Sequence, residues 1–133
     1  MTIEQAIRNH WTTYQPLIDV VPASRVWVDE NNGPDDLPFV VLTLESEMPR
    51  TFSSGDRSYS AVVRFHLYDD DFERGTALLE TIRHRFDRAD MPAGNRTILQ
   101  ARYTNKARQR AEDGVWRWLL DYTLLINEVT TNG

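Results

Sequence analysis

Trp116, Trp118, Leu120, Tyr122, Leu124 and Ile126 fall at every second position near the end of the chain, and Arg117, Asp121, Thr123 and Asn127 stand between them. A period of two sustained over this length dictates a long β-strand with one apolar face. A second run obeys the same rule: Tyr59, Ala61, Val63, Phe65 and Leu67 alternate with Ser60, Arg64 and His66. Two such strands require a sheet and a layer to cover its apolar side. Two stretches have the spacing to provide that layer. Ile3, Ala6, Ile7, Trp11 and Tyr14 recur at intervals of three and four behind a Thr2/Gln5 capping box, and Phe72, Leu78, Leu79, Ile82 and Phe86 form a second helical stripe. Gly75 weakens the first turn of that second helix without forbidding it.

The remaining segments complete the outline. "RVWVDE" predicts a short strand over 25–29, and "FVVLTLES", from Phe39, a strand covered on both faces at its start. From Ser46 to Arg57 the chain is polar and punctuated by Pro49 and Gly55, which reads as a long loop. Strands are predicted from Arg96 to about Lys106 and from Val115 to about Glu128, joined through a turn at Asp113-Gly114. The expected fold is α+β, two helices packed on one face of a mostly antiparallel sheet with long projecting hairpins, in a single domain over 1–133.

The lengths raise a question of coverage. A helix of about 16 residues reaches roughly 24 Å, whereas a strand of about 14 reaches roughly 45 Å. The excess apolar face, carrying Trp116 and Trp118, is therefore expected to be covered by neighbouring copies in a homo-oligomer. The competing explanation is that the first helix and the proline-rich loops cover it.

Composition excludes several function classes. The chain has no cysteine, so disulfides, thiolate metal sites and cysteine nucleophiles are out. Neither a continuous apolar leader nor a membrane-spanning run is legible, so no membrane partner is expected. The net charge of −5 argues against wrapping nucleic acid by charge alone. Its distribution is uneven: residues 1–71 hold 5 basic and 12 acidic side chains, and residues 72–133 hold 10 and 8, giving −7 and +2. This suits a protein that presents different faces to different partners or to copies of itself.

Motifs that carry chemistry are sparse. The acids of "YDDDFE" fit helix capping better than a cation site, because consecutive strand residues point in opposite directions. His10, His66 and His84 lack the spacing of metal ligands or of a catalytic pair, "SSGDRSYS" is not a nucleophile elbow, and the glycines are isolated. No cofactor and no catalytic residue is expected. "RYTNKARQR" is the basic stretch, and regular alternation puts Arg102, Lys106, Arg108 and Arg110 on one side of a strand.

Taken in order, the N-terminal helix, "RVWVDE", "LPFVVLTLESE" with its Pro-Phe start, the polar stretch, "YSAVVRFHLYD", "ERGTALLETIRHRF" and the final long hairpin resemble the tail terminator (tail completion) proteins of long-tailed bacteriophages. The resemblance covers nearly the whole chain and rests on order and spacing. It implies a non-catalytic ring, commonly a hexamer, in the virion at the head-proximal end of the tail, assembled in the host cytoplasm. The implied partners are copies of itself, the major tail tube protein and a head-completion or connector protein, with DNA only passing through the channel. Arg50, Phe52 and Arg57 are candidates for contact with the tube or a neighbouring subunit. Arg102, Lys106, Arg108 and Arg110 are candidates for the ring interface or the DNA channel, and Trp116 and Trp118 for oligomer packing. Competing readings are a head-completion or neck adaptor, and a small α+β enzyme or ligand-binding domain acting through His66 or Asp70.

Overall fold

A computed structural model describes residues 1–30, 36–50, 57–110 and 114–128. Its elements in chain order are α1 (Ile3–Thr12), α2 (Gln15–Ile18), a 3-10 turn (Ala23–Arg25), β1 (Val26–Val28), β2 (Phe39–Arg50), β3 (Arg57–Asp69), α3 (Phe72–Phe86), β4 (Met91–Ala93), β5 (Arg96–Arg110) and β6 (Trp116–Glu128). The strands form one six-stranded sheet in the order β1-β2-β3-β6-β5-β4, antiparallel except for the β1·β2 pair. This is the α+β layout that the two periodicities predict, with helices on one face.

Both long alternations are realised. On the helix-bearing face Ala61, Val63, Phe65 and Leu67 of β3 lie beside Leu124, Tyr122, Leu120 and Trp118 of β6, all buried. The Thr2/Gln5 capping box closes the start of α1 through reciprocal bonds of 2.9 and 3.1 Å. Trp11, wholly buried, stacks on Phe65 and donates its indole N–H to the Val21 carbonyl at 3.0 Å, which fixes α1 against the sheet.

The coverage expectation is corrected. The core that holds Leu124 and Ile126 also holds Ile3, Ala6, Ile7 and Trp11 of α1 and Met91 and Ala93 of β4. The first helix thus covers what α3 leaves, and Trp118 is only 2% exposed within its own chain. Uncovered apolar length therefore gives no reason for oligomerisation. Trp116 is half-buried against Phe72 and Trp118.

The polar stretch is also different from its reading as a loop. β2 continues through Ser46 to Arg50, paired residue for residue with Val62 to Ser58, so only 51–56 lie outside the described residues. Glu45 to Arg50 are all exposed, and a strand with no buried face leaves no alternation to read. A bulge at Glu45 shifts the register between Leu44 and Ser46. Similarly β5 runs on to Arg110, with bulges at Leu99 and Thr104.

Two consequences follow for the edges. β1 covers only Val40–Leu42 of β2, so among the described residues no strand pairs with the outer side of Thr43–Arg50. On the other edge β4 covers Arg96–Ile98, and the Ala101 N–H and C=O bond Ala89 and Arg88 at 3.1 and 2.8 Å. Beyond them the outer side of Arg102–Arg110 likewise has no strand partner among the described residues.

Candidate functional site

No helix packs over the second face of the sheet among the described residues. It carries Arg64, His66 and Tyr68 from β3, Val41 and Thr43 from β2, and Arg117, Leu119, Asp121 and Leu125 from β6. Polar residues alternate onto this side because the apolar ones are committed to the other, and cross-strand register brings them into contact.

The result is one directed network. Arg117 Nη2 donates to His66 Nδ1 at 2.8 Å, and an arginine can only donate, so the ring proton sits on Nε2. That nitrogen donates to Thr43 Oγ1 at 2.9 Å, and the Thr43 hydroxyl passes its own proton to Glu45 Oε1 at 2.9 Å. Glu45 lies 3.5 Å from Arg64, whose guanidinium binds both oxygens of Asp121 at 2.7 and 3.0 Å. Asp121 is only 6% exposed, so this bidentate pairing compensates a buried carboxylate on an otherwise open face.

Burial, then the neighbouring Arg117 cation, pushes the His66 imidazole below its ordinary pKa of 6.5, against the opposing pull of Glu45 and Asp121. His10 is lowered too, by burial and then by Arg85. Below pH 6.5 the unfolded chain therefore binds more protons at these positions than the folded one, and stability falls with acidification. The melting temperature is expected to drop by a few degrees between pH 7.5 and 5.5, and His66→Gln to remove part of that slope. An unchanged slope in the variant would exonerate His66.

At one end of this face Phe39, Val41, Thr43, His66, Tyr68 and Arg117, with Asp29 and Glu30, line an open cavity of about 350 Å³. Phe39 and Tyr68 stack there at 4.6 Å. Both ring nitrogens of His66 are already engaged, which leaves it no free lone pair for proton abstraction. Asp70 lies elsewhere, at the start of α3, 3.4 Å from Arg74. Of the acids in this run the helix cap is Asp71: its carboxylate accepts from Arg74 N at 3.0 Å, while Asp69 is wholly buried and bonded to the Arg74 side chain.

The basic row is split. The bulge at Thr104 inserts one residue, so Arg102 stands opposite Thr123 on the open face, whereas Lys106, Arg108 and Arg110 stand opposite Leu120, Trp118 and Trp116 on the helix-bearing face. Arg108 lies over the Phe72 and Trp116 rings at 5.0 and 5.5 Å, and Arg110 over Trp116 at 5.2 Å. Arg102 instead joins Arg50 in a groove of about 470 Å³ floored by Ser60, Thr123 and Leu125. Arg57 is exposed at the start of β3, and Phe52 lies outside the described residues. The interaction that alternation does not reveal is the His66 network. Its partners lie 23 and 51 residues away, at Thr43 and Arg117, beyond the reach of any local motif.

No protein-family model matches the sequence, and no curated protein matches it. Among solved structures, a chain of the virion of a native gene transfer agent (GTA) particle superposes with a TM-score of 0.77. The match covers 94% of this chain and 94% of that one at 14% identity. No helix among the described residues is long and apolar enough to cross a membrane. The likeness to the virion chain is one of fold, extending over nearly the whole of both chains.

Proposed function

We propose that this chain is a virion structural protein, and specifically a tail terminator: a ring, commonly of six copies in the family it resembles, that caps the finished tail tube, ends its polymerisation and offers the surface to which the head joins. The observation that carries this reading is the end-to-end fold shared with a chain of a virion particle. The side chains are consistent with a non-catalytic role, since both ring nitrogens of His66 and both carboxylate oxygens of Asp121 are spent within the most connected polar cluster. Its partners are further copies of the chain, the major tail tube protein and a head-completion or connector protein, with DNA passing through the channel. Arg50 and Arg57, at the base of the β2–β3 hairpin, are the candidate contacts to the tube.

Electron microscopy of the purified protein mixed with headless tail tubes tests the proposal. The expected image is a ring on one end of each tube, with tube growth arrested. Binding to the portal of filled heads, and not to tubes, would replace the terminator with a neck adaptor. A protein that binds neither would remove the virion role.

A further inference from the structure

The two uncovered edges of the sheet are complementary in length, direction, register and charge. We propose that they pair with each other between copies, Thr43–Arg50 of one chain against Arg102–Arg110 of the next, so that the sheet runs continuously from subunit to subunit. This inference rests on the ring proposed above.

Length comes first: eight residues of β2 face nine of β5, each stretch bounded at one end by a short strand and at the other by the limit of the described residues. A sheet continued sideways places β5 of the neighbour beside β2, and the two run antiparallel, since β2, β3, β6 and β5 alternate in direction. The two stretches lie towards opposite ends of the sheet. Thr43–Arg50 lies level with Asp121–Asn127 of β6, and Arg102–Arg110 level with Thr123–Trp116. Their midpoints are thus offset by four to five residues, roughly 15 Å, across four long strands spanning roughly 19 Å. That offset inclines the strands by about 38°, within the roughly 35–45° of closed barrels. The staggered arrangement also keeps β1 and β4 clear, because each caps the end that its neighbour leaves.

Register is fixed by two independent parities. Aligning the two stretches end to end puts Ser46 opposite Ala107, Glu47 opposite Lys106 and Met48 opposite Asn105. Facing residues in a pleated sheet must lie on the same side, and they do: Glu47 and Lys106 share the helix-bearing face, while Met48 and Asn105 share the open one. Backbone direction agrees. Ala101 aims its N–H and C=O outward, and carrying that alternation through the Thr104 bulge aims Lys106 outward as well. On β2 the Leu42 carbonyl points outward to Asp29 N, and the same count through the Glu45 bulge makes Glu47 and Pro49 outward. Pro49, which lacks an N–H, then withholds no donor from β3.

Charge supplies the direction of pairing. The β1–β2 side carries Asp29, Glu30, Asp36, Glu45 and Glu47 against Arg25 and Arg50, and the corresponding length of β5 carries Arg102, Lys106, Arg108 and Arg110 with no acid. Glu47 is held 2.9 Å from Arg96 and remains about a third exposed, and Lys106 meets no carboxylate among the described residues. A net acidic edge facing a basic one disfavours the symmetric dimer and favours the head-to-tail ring or filament.

The absence of native cysteine makes a direct test available. In one chain β2 and β5 are separated by two strands, roughly 14 Å, too far for a disulfide. The double variant Met48→Cys/Asn105→Cys, oxidised while assembled, is expected to give a ladder of covalent multimers on a non-reducing gel. A mixture of the two single variants is expected to stop at dimers. Lys106→Glu is expected to raise the concentration needed for assembly at least tenfold while leaving the melting curve unchanged. An assembled protein that yields no inter-chain disulfide, or a Lys106→Glu variant that assembles like the parent, overturns edge pairing and leaves the ring standing. A parent that stays monomeric both alone and on tail tubes overturns the ring reading itself.

Discussion

Gly75→Val is expected to destabilise the fold by about 3 kcal/mol, the upper end of the usual overpacking cost, although valine is a better helix residue than glycine. A Cβ at position 75 would lie 2.3, 2.5 and 2.9 Å from three atoms of the Trp118 indole. That ring cannot withdraw. It is 2% exposed and packed in one cluster with Phe72 and Trp116, whose ring centroids lie 6.0 and 6.3 Å away. The helix approaches the sheet closely only because position 75 has no side chain. Chemical denaturation of Gly75→Val, Trp118→Leu and the double variant measures this: the double variant should lose less than the sum of the singles, because the smaller residue vacates the space. A Gly75→Val protein as stable as the parent would mean that the indole moves freely.

Arg74→Ala should have a comparable effect by a different route. Burial alone would push the Asp69 carboxyl up, but the Arg74 guanidinium and the Asp71 N–H outweigh it and hold it below the ordinary 3.8. The parent therefore keeps this stabilisation above pH 3.8 and loses it as pH falls through the lower folded value. Without Arg74 a wholly buried carboxylate loses its cationic partner and keeps the Asp71 N–H, at 3.1 Å. Removing one partner of such a pair costs about 3 kcal/mol, the low end of the usual range because Arg74 itself is partly exposed. The pH dependence should also change sign. With burial dominant, the Asp69 pKa rises above 3.8, and the variant loses stability as pH increases through that interval. Melting curves between pH 3 and 7 separate this from a merely structural defect, which would lower stability equally at every pH.

The parts of the fold that were legible are those in which one face is dry and the other wet. β3, β6, α1 and α3 have that asymmetry, and their periodicities announce them. The outer half of β2 has both faces exposed, so its residues carry no pattern, and ladder hydrogen bonds with the Glu47–Arg96 ion pair hold it as a strand. β4, three residues long, is shorter than any period can register. The coverage of β6 is not legible from the length of one helix set against one strand, because α1, more than a hundred residues earlier, shares the same core. Gly75 was legible as a weak point in a helix and not as a fit, because its reason lies on another strand. In the candidate site, His66 was visible on the polar face, but Thr43 and Arg117 meet it through register. The split of the basic row was invisible for a related reason: alternation predicts sides correctly only until a residue is inserted.

That inserted residue, Thr104, acts on β5 as a frameshift acts on a coding strand. Between the bulges at Leu99 and Thr104 even-numbered residues face the open side, and beyond Thr104 they face the helices, with charge, composition and length untouched. A one-residue deletion at this point would carry Lys106, Arg108 and Arg110 across the sheet together. The chain thus holds a means of transferring a whole row of charge from one surface to the other in a single genetic step, which no series of point substitutions could match without passing through half-converted intermediates.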